Sequence, residues 1–294
     1  MSETETKYGI VVGVDGSAES RAAVRWAARE ASMRHEAVTL VHVVQAVIVS
    51  WPIGAQQAAI AKWQESNARD VIVQARNDLT DAMDKPQPLE VRTEILYANP
   101  VHALVDASQE ARMVVVGSRG RGVLGRLLLG SVSSGVLHHA YCPVAVIHAD
   151  EVSASAPEGP VLLGIDGSPA SEGATAYAFE EASLRGLSLV ALHAWSDVAV
   201  FPILGMDWRT YQDQGQEALS ERLAGWQERY PDVRIERRLV CDTPARWLIE
   251  ESQRAQLVVL GSRGRGGFDG MLLGSASATV AQSARVPVVV VRTR

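Results

Sequence analysis

Lysine is almost missing from this chain. Its 294 residues include Lys7, Lys62 and Lys85 and no others, and none of them follows a glycine. A Walker-type phosphate loop requires Gly-Lys-Ser/Thr, so that class of nucleotide hydrolase is excluded. Cysteine is as scarce. Cys142 and Cys241 stand alone at non-equivalent places and can build neither a disulfide framework nor a zinc site. They read as small buried hydrophobes. Aromatic residues make up 5% of the chain and do not interleave with basic ones, which argues against a stacking platform for single strands. Positive charge is not in excess either. The net charge is −6, split as −2 over residues 1–150 and −4 over residues 151–294. Nonspecific nucleic-acid binding normally needs a basic face, so no nucleic-acid partner is expected, although a local basic pocket stays open. No apolar run reaches 18 residues and MSETETKYGI offers no apolar leader, so no membrane partner and a cytoplasmic setting are expected. His138 and His139 are adjacent and would point apart on a helix, so no metal site is expected.

What is present is a repeat. Hydrophobic residues at 47% and charged residues at 21% describe a globular chain, and its length allows about two domains. The stretch MVVVGSRGRGVLGRLLLGSVS (113–133) returns as LVVLGSRGRGGFDGMLLGSAS (257–277). Each copy holds Gly, two residues, Gly, nine residues, Gly-Ser: Gly117, Gly120, Gly130-Ser131, and Gly261, Gly264, Gly274-Ser275. Gly13-Val14-Asp15-Gly16-Ser17 returns as Gly164-Ile165-Asp166-Gly167-Ser168, at an offset of 151 (164 − 13). The glycine-rich stretches are offset by 144 (261 − 117), so the second copy lacks seven residues in its middle. The expected boundaries are a first domain over 1–149, a linker over 150–160 rich in Ser, Ala and Pro, and a second domain over 161–294.

Periodicity and turn residues give the same order twice: strands alternating with helices, hence βαβ units and a parallel sheet. The expected strands of copy one are Tyr8–Val14, Ala37–Val44, Leu89–Leu96, Arg112–Val116 and Pro143–His148. The long second helix is expected from Gln56 to about Met83, and the third from Asn99 to about Glu110, with Pro100 at its first position. In such a sheet ligands sit at the carboxyl ends of strands where the order reverses. The DGS turn and the glycine-rich loop would then face each other across one crevice, with Asp15 opposite Gly117 and Asp166 opposite Gly261. Glycine lets a ligand approach the backbone, and successive amides form an anion-binding hollow. The helix starting at Ser131 adds unpaired N–H groups, while Arg119, Arg121 and Arg126, and Arg263 and Arg265, add bidentate charge. Two alternatives stay open at this level. The loop is a phosphate cradle or merely a tight strand-to-helix turn. Asp15 and Asp166 are Asx-turn or cap residues, or contacts to a nucleoside or a cation. Ser17 and Ser168 resemble caps rather than nucleophiles, and nothing supplies a catalytic base, so binding is favoured over catalysis. Trp26, Trp63, Trp226 and Trp247 are expected in core or interface.

The G-x2-G-x9-G-S pattern after a fourth strand, with an aspartate ending the first, resembles the ATP-binding universal stress proteins. The resemblance covers nearly the whole chain as two tandem domains. It implies an α/β, Rossmann-like, doubly wound fold, each domain a five-stranded parallel sheet of order 3-2-1-4-5. It implies adenine and ribose near Gly13, Val14, Asp15 and Val43, with phosphates on Gly117, Ser118, Arg119, Gly120, Arg121, Gly122, Gly130 and Ser131. In the second domain it points to Gly164, Asp166, Ala194, Gly261, Ser262, Arg263, Gly264, Arg265, Gly266, Gly274 and Ser275. Asp197 would touch ribose there, where the first domain has Ala46. The implied ligand is ATP, with or without magnesium, bound with little or no hydrolysis in a stress-response protein. A slow ATPase and a nucleotide-independent scaffold are the alternatives. The fifth strands would mediate domain pairing and whole chains would form homodimers. Two sequence details set the copies apart. Gly267-Phe268-Asp269-Gly270 replaces Val123-Leu124-Gly125-Arg126, losing an arginine and gaining an acid, so weaker phosphate binding is expected in the second domain. Gly117→Glu is expected to fill the phosphate cradle of the first.

Overall fold

The computed structural model describes residues 6–45, 54–83, 89–120, 129–149, 159–195, 208–241, 243–264 and 272–292. The chain divides into two compact units, Met1–Ala149 and Asp150–Arg294. The first unit runs β1 (Ile10–Gly13), α1 (Ala18–Arg34), β2 (Val38–Val44), α2 (Gly54–Asp81), β3 (Val91–Tyr97), α3 (Pro100–Ala107), β4 (Met113–Gly117), α4 (Ser131–His139) and β5 (Val144–Ile147). The second runs β6 (Val161–Gly164), α5 (Pro169–Arg185), β7 (Leu189–Trp195), α6 (Trp208–Arg229), β8 (Ile235–Cys241), α7 (Pro244–Ser252), β9 (Leu257–Gly261), α8 (Ser275–Ser283) and β10 (Val288–Val291). Boundaries fall within about three residues of those read from the sequence, since frayed ends shift by that much.

Within the first unit the strands pair in the order β3-β2-β1-β4-β5, each pair parallel. Within the second the order is β8-β7-β6-β9-β10, again parallel pair by pair. The cause is in the composition of the strands. IVVG, MVVVG and VAVI are apolar and largely β-branched, and a strand covered by helices on both faces needs that pattern. Every residue of β4 and β5 is buried. The end strand β3 has no fully buried residue, and Arg92, Thr93 and Tyr97 are exposed. α1 packs with α2 and α3 with α4, as right-handed crossovers require when the first two helices cover one face and the last two the other.

The caps repeat between copies. Ser17 caps α1 by accepting from the Ser20 amide at 3.1 Å, and Ser168 caps α5 in the same way at 3.2 Å. Each of these helices ends on a left-handed residue, His35 at φ 56° and Gly186 at φ 64°. Each also buries an i,i+4 ion pair, Arg34 with Glu30 at 2.6 Å and Arg185 with Glu181 at 2.8 Å. Both glutamates are fully buried, so each needs its arginine close by.

Side-chain volumes trade between copies. A Cβ on Gly135 of α4 would lie 2.6 Å from Val101 Cγ1 of α3. The equivalent positions in the second copy are Thr279 and Ala245 (135 and 101 plus 144), a larger residue facing a smaller one. Gly135→Thr alone is expected to cost about 1–3 kcal/mol through overpacking, and adding Val101→Ala should recover most of it. Urea unfolding of both single variants and the double measures the coupling; strictly additive changes would mean the two positions do not press on each other.

Of the four helical tryptophans, Trp26 is buried, Trp226 stacks on Phe179 and Trp247 Nε1 donates to the Cys241 carbonyl at 3.1 Å. Trp63 is 65% exposed, so of the two places expected for it the core is ruled out. Among the described residues no helix is long and apolar enough to cross a membrane, and no group of three His, Cys, Asp or Glu residues could hold a metal ion.

Candidate functional site

β1 and β4 are neighbours, and their carboxyl ends mark the point where the strand order reverses. The turn after β1 and the loop after β4 therefore open side by side. Asp15 serves both. The Ser17 amide donates to its Oδ1 at 2.9 Å, which is the Asx-turn role. Its Oδ2 lies 2.6 Å from the place a Cβ on Gly120 would take. Asp166 repeats this, with Ser168 N at 2.8 Å from Oδ1 and Oδ2 2.6 Å from the Cβ position of Gly264. Only glycine at 120 and 264 leaves the carboxylate its place. The crevice thus sets Asp15 opposite Gly120 rather than opposite Gly117, and Asp166 opposite Gly264.

Gly117 does something else. A Cβ there would lie 2.7 Å from the Glu19 carbonyl carbon and 2.9 Å from the Ser20 amide nitrogen. Its bare α-carbon lets the first turn of α1 seat on the end of β4. The expectation that a side chain at 117 would fill the phosphate cradle is corrected on that ground. Gly13 is likewise a packing glycine. Its Cβ position is 3.0 Å from Leu104 Cδ1, and that of Gly164 is 2.5 Å from Leu260 Cδ2 and 3.3 Å from Leu248. Both positions face apolar side chains, so any contact with a ligand would have to come from their backbone.

Ser118 follows β4 and is 1% exposed. Its amide donates to Ile147 O at 2.6 Å and its carbonyl accepts from Gly130 N at 2.8 Å. Its buried hydroxyl has no hydrogen-bond partner among the described residues. An orphaned buried hydroxyl costs free energy unless a ligand or water completes it. In the second copy Ser262 donates to Val291 O at 2.8 Å and accepts from Gly274 N at 2.7 Å. Gly130 and Gly274 are the N-caps of α4 and α8 and offer no side-chain cap. A Cβ on Gly130 would press on the Arg119 α-carbon at 3.3 Å, whereas one on Gly274 would make only ordinary contacts with Ser262 and Arg263. Neither helix therefore has a side-chain cap from its N-cap residue, and Ser131 and Ser275 are exposed at the first helical position. Val14 is buried, and Val43 and Ala194 are half-buried near the carboxyl ends of β2 and β7. Arg119 is paired with Glu19, Nη2 to Oε1 at 2.8 Å, whereas Arg263 is exposed. Arg121, Gly122, Arg126, Asp197, Arg265 and Gly266 lie outside the described residues.

Three supports hold these turns. Ser133 Oγ of α4 donates to the Gly117 carbonyl at 2.6 Å, and Ser277 Oγ donates to Gly261 O at 2.7 Å. His42 Nδ1–H donates to Val14 O at 2.7 Å and His193 to Ile165 O at 2.6 Å, fixing the residue before each aspartate. The Arg222 guanidinium of α6 lies against Gly167, in the space its side chain would take. The serines carried a signal: both recur at the 144-residue offset of the loop they hold.

The fold and this crevice define a class: a doubly wound α/β protein whose repeats each set an aspartate turn beside a glycine-bearing strand end and a helix N-terminus. The model of the universal stress protein family matches residues 9–148 and 159–292. A universal stress protein of Mycolicibacterium smegmatis is 56% identical over 294 residues, covering 100% of both chains. Another, Rv2005c of Mycobacterium tuberculosis, is 52% identical over 293 residues, with 99% of each chain covered. The crystal structure of a universal stress protein from Archaeoglobus fulgidus superposes with a TM-score of 0.72 at 22% identity, covering 97% of this chain and 98% of that one; it supports the fold alone. This chain belongs to the universal stress protein family, as a tandem pair of its stress-response domains.

Proposed function

We propose that each unit binds one adenine nucleotide, ATP above all, and that the chain acts as a nucleotide-binding regulator with little or no turnover. The carrying observation is the doubled juxtaposition of an aspartate carboxylate, a glycine that only a bare α-carbon permits, and an uncapped helix N-terminus. These groups suit a nucleotide. The carboxylate outside its Asx turn can accept from ribose hydroxyls, and half-buried Val43 or Ala194 offers an apolar neighbour for a base. Polyphosphate would lie on the Gly120 amide and the first turn of α4, with the buried Ser118 hydroxyl as a further donor. Magnesium, where present, would neutralise phosphate charge. Among the described residues no side chain stands ready to activate water, which favours retention of the nucleotide over hydrolysis. The scarcity of cysteine suits a cytoplasmic setting.

The test is calorimetric titration of ATP, with and without magnesium, into the full chain and into Gly120→Val. The substitution should weaken one binding event by roughly a hundredfold, about 2.8 kcal/mol, while the other event stays. Absence of any ATP binding by the unaltered chain would overturn the proposal. Phosphate release that disappears in Gly120→Val would favour a slow ATPase instead.

A further inference from the structure

Resting on that nucleotide reading, we propose that Glu19 ranks the two sites: it occupies Arg119 and makes the second site the tighter polyphosphate binder. Arg119 and Glu19 meet at 2.8 Å, with side chains only 19% and 14% exposed. Glu19 is not free to drift, because its backbone and Cβ seat on the bare α-carbon of Gly117. It also lies in the first turn of α1, where a carboxylate is favoured by the helix dipole. A guanidinium held in such a shielded pair has part of its donor fork committed. An incoming polyphosphate must displace the carboxylate or share one cation with it, and either lowers affinity.

Among the described residues the second copy has no such competitor. Position 19 corresponds to Ala170 (19 + 151), and a methyl group cannot pair with an arginine. Arg263, the counterpart of Arg119, is exposed and has no carboxylate partner among the described residues. A second cation stands close by. Arg222 lies against Gly167 in the DGS turn, where the first copy has Asp78 (222 − 144), which pairs with Arg25 at 3.8 Å. Arg21 of α1, opposite Glu172 in the second copy, works the other way, so the decisive comparison is the local exchange at 19 and 170. The resulting ranking is the reverse of the one expected from Asp269 and the lost Arg126.

The experiment titrates the full chain with inorganic tripolyphosphate and, separately, with ATP, using the unaltered protein, Glu19→Gln and Ala170→Glu. Two events of unequal strength are expected. Glu19→Gln should tighten the weaker event about tenfold and leave the stronger alone. Ala170→Glu should weaken the stronger event by a similar factor, and it does so without touching the packing at Gly117. Melting curves confirm that both variants fold. Glu19→Gln leaving both constants unchanged, or tightening the stronger event, overturns the proposal, as does a complete lack of tripolyphosphate binding. Should ATP bind both sites with Glu19→Gln silent, the nucleotide reading survives and the role of Glu19 falls. Should tripolyphosphate follow the ranking while ATP binds no more tightly than it, the role of Glu19 survives and the nucleotide reading falls.

Discussion

Gly117→Glu is expected to lower the stability of the first unit by about 3 kcal/mol, and with it the melting temperature by roughly 10 °C. The cause is steric and begins at the first side-chain carbon. Backbone atoms of Glu19 and Ser20 stand 2.7 and 2.9 Å from where that carbon must go, and backbone cannot rotate away as a side-chain tip can. Either α1 lifts from β4 or the end of β4 bends. Both movements disturb the crevice, because Asp15 lies just before α1 and Ser118 just after β4. On the proposed reading, nucleotide binding in this variant would be lost through displaced walls rather than through a carboxylate in the hollow. Gly117→Val separates the two causes, since it adds the same first carbon and no charge. Thermal unfolding of both variants is the check. A glutamate variant with unaltered melting and no ligand binding would return the residue to the cradle.

Phe179→Ala should cost the second unit about 3–5 kcal/mol. Phe179 is fully buried, its ring 6.0 Å from that of Trp226 and 5.8 Å from that of Tyr230. The corresponding residues of the first copy are Ala28, Ala82 and Pro86 (179 − 151, 226 − 144, 230 − 144), so the first copy has no aromatic residue at any of these three positions. Alanine in place of the phenylalanine leaves a void that two large rings on a regular helix cannot close. Urea unfolding followed by tryptophan fluorescence reads the loss; a change under about 1 kcal/mol would mean that the rings collapse into the gap.

Much of the architecture was legible because the sequence carries it twice. Apolar β-branched runs, Pro100 at a helix start, serine caps and glycine breaks each recur at a constant offset, and these are short-range signals. The role of each glycine was less legible. Gly13, Gly117, Gly120 and Gly130 look alike in sequence, yet Gly13 faces Leu104, Gly117 faces α1, Gly120 faces Asp15 and Gly130 crowds Arg119. Which neighbour a missing side chain accommodates is a tertiary fact. The Arg119–Glu19 pair was hidden for the same reason, since the two residues are a hundred positions apart (119 − 19) and meet only because β1 and β4 are adjacent. Arg119 consequently reads from sequence as a free phosphate ligand, although the fold gives it a partner.

The base of each glycine-rich loop is cinched. Gly130 N reaches Ser118 O and Ser133 Oγ reaches Gly117 O, so the segment between them leaves and rejoins the scaffold at one knot. Gly274 with Ser262 and Ser277 with Gly261 tie the same knot in the other repeat. Closing a chain whose ends are already fastened depends only weakly on its length, about 0.6 kcal/mol per doubling. The described ends of each loop are therefore held by the frame itself, through two hydrogen bonds made without the residues between them.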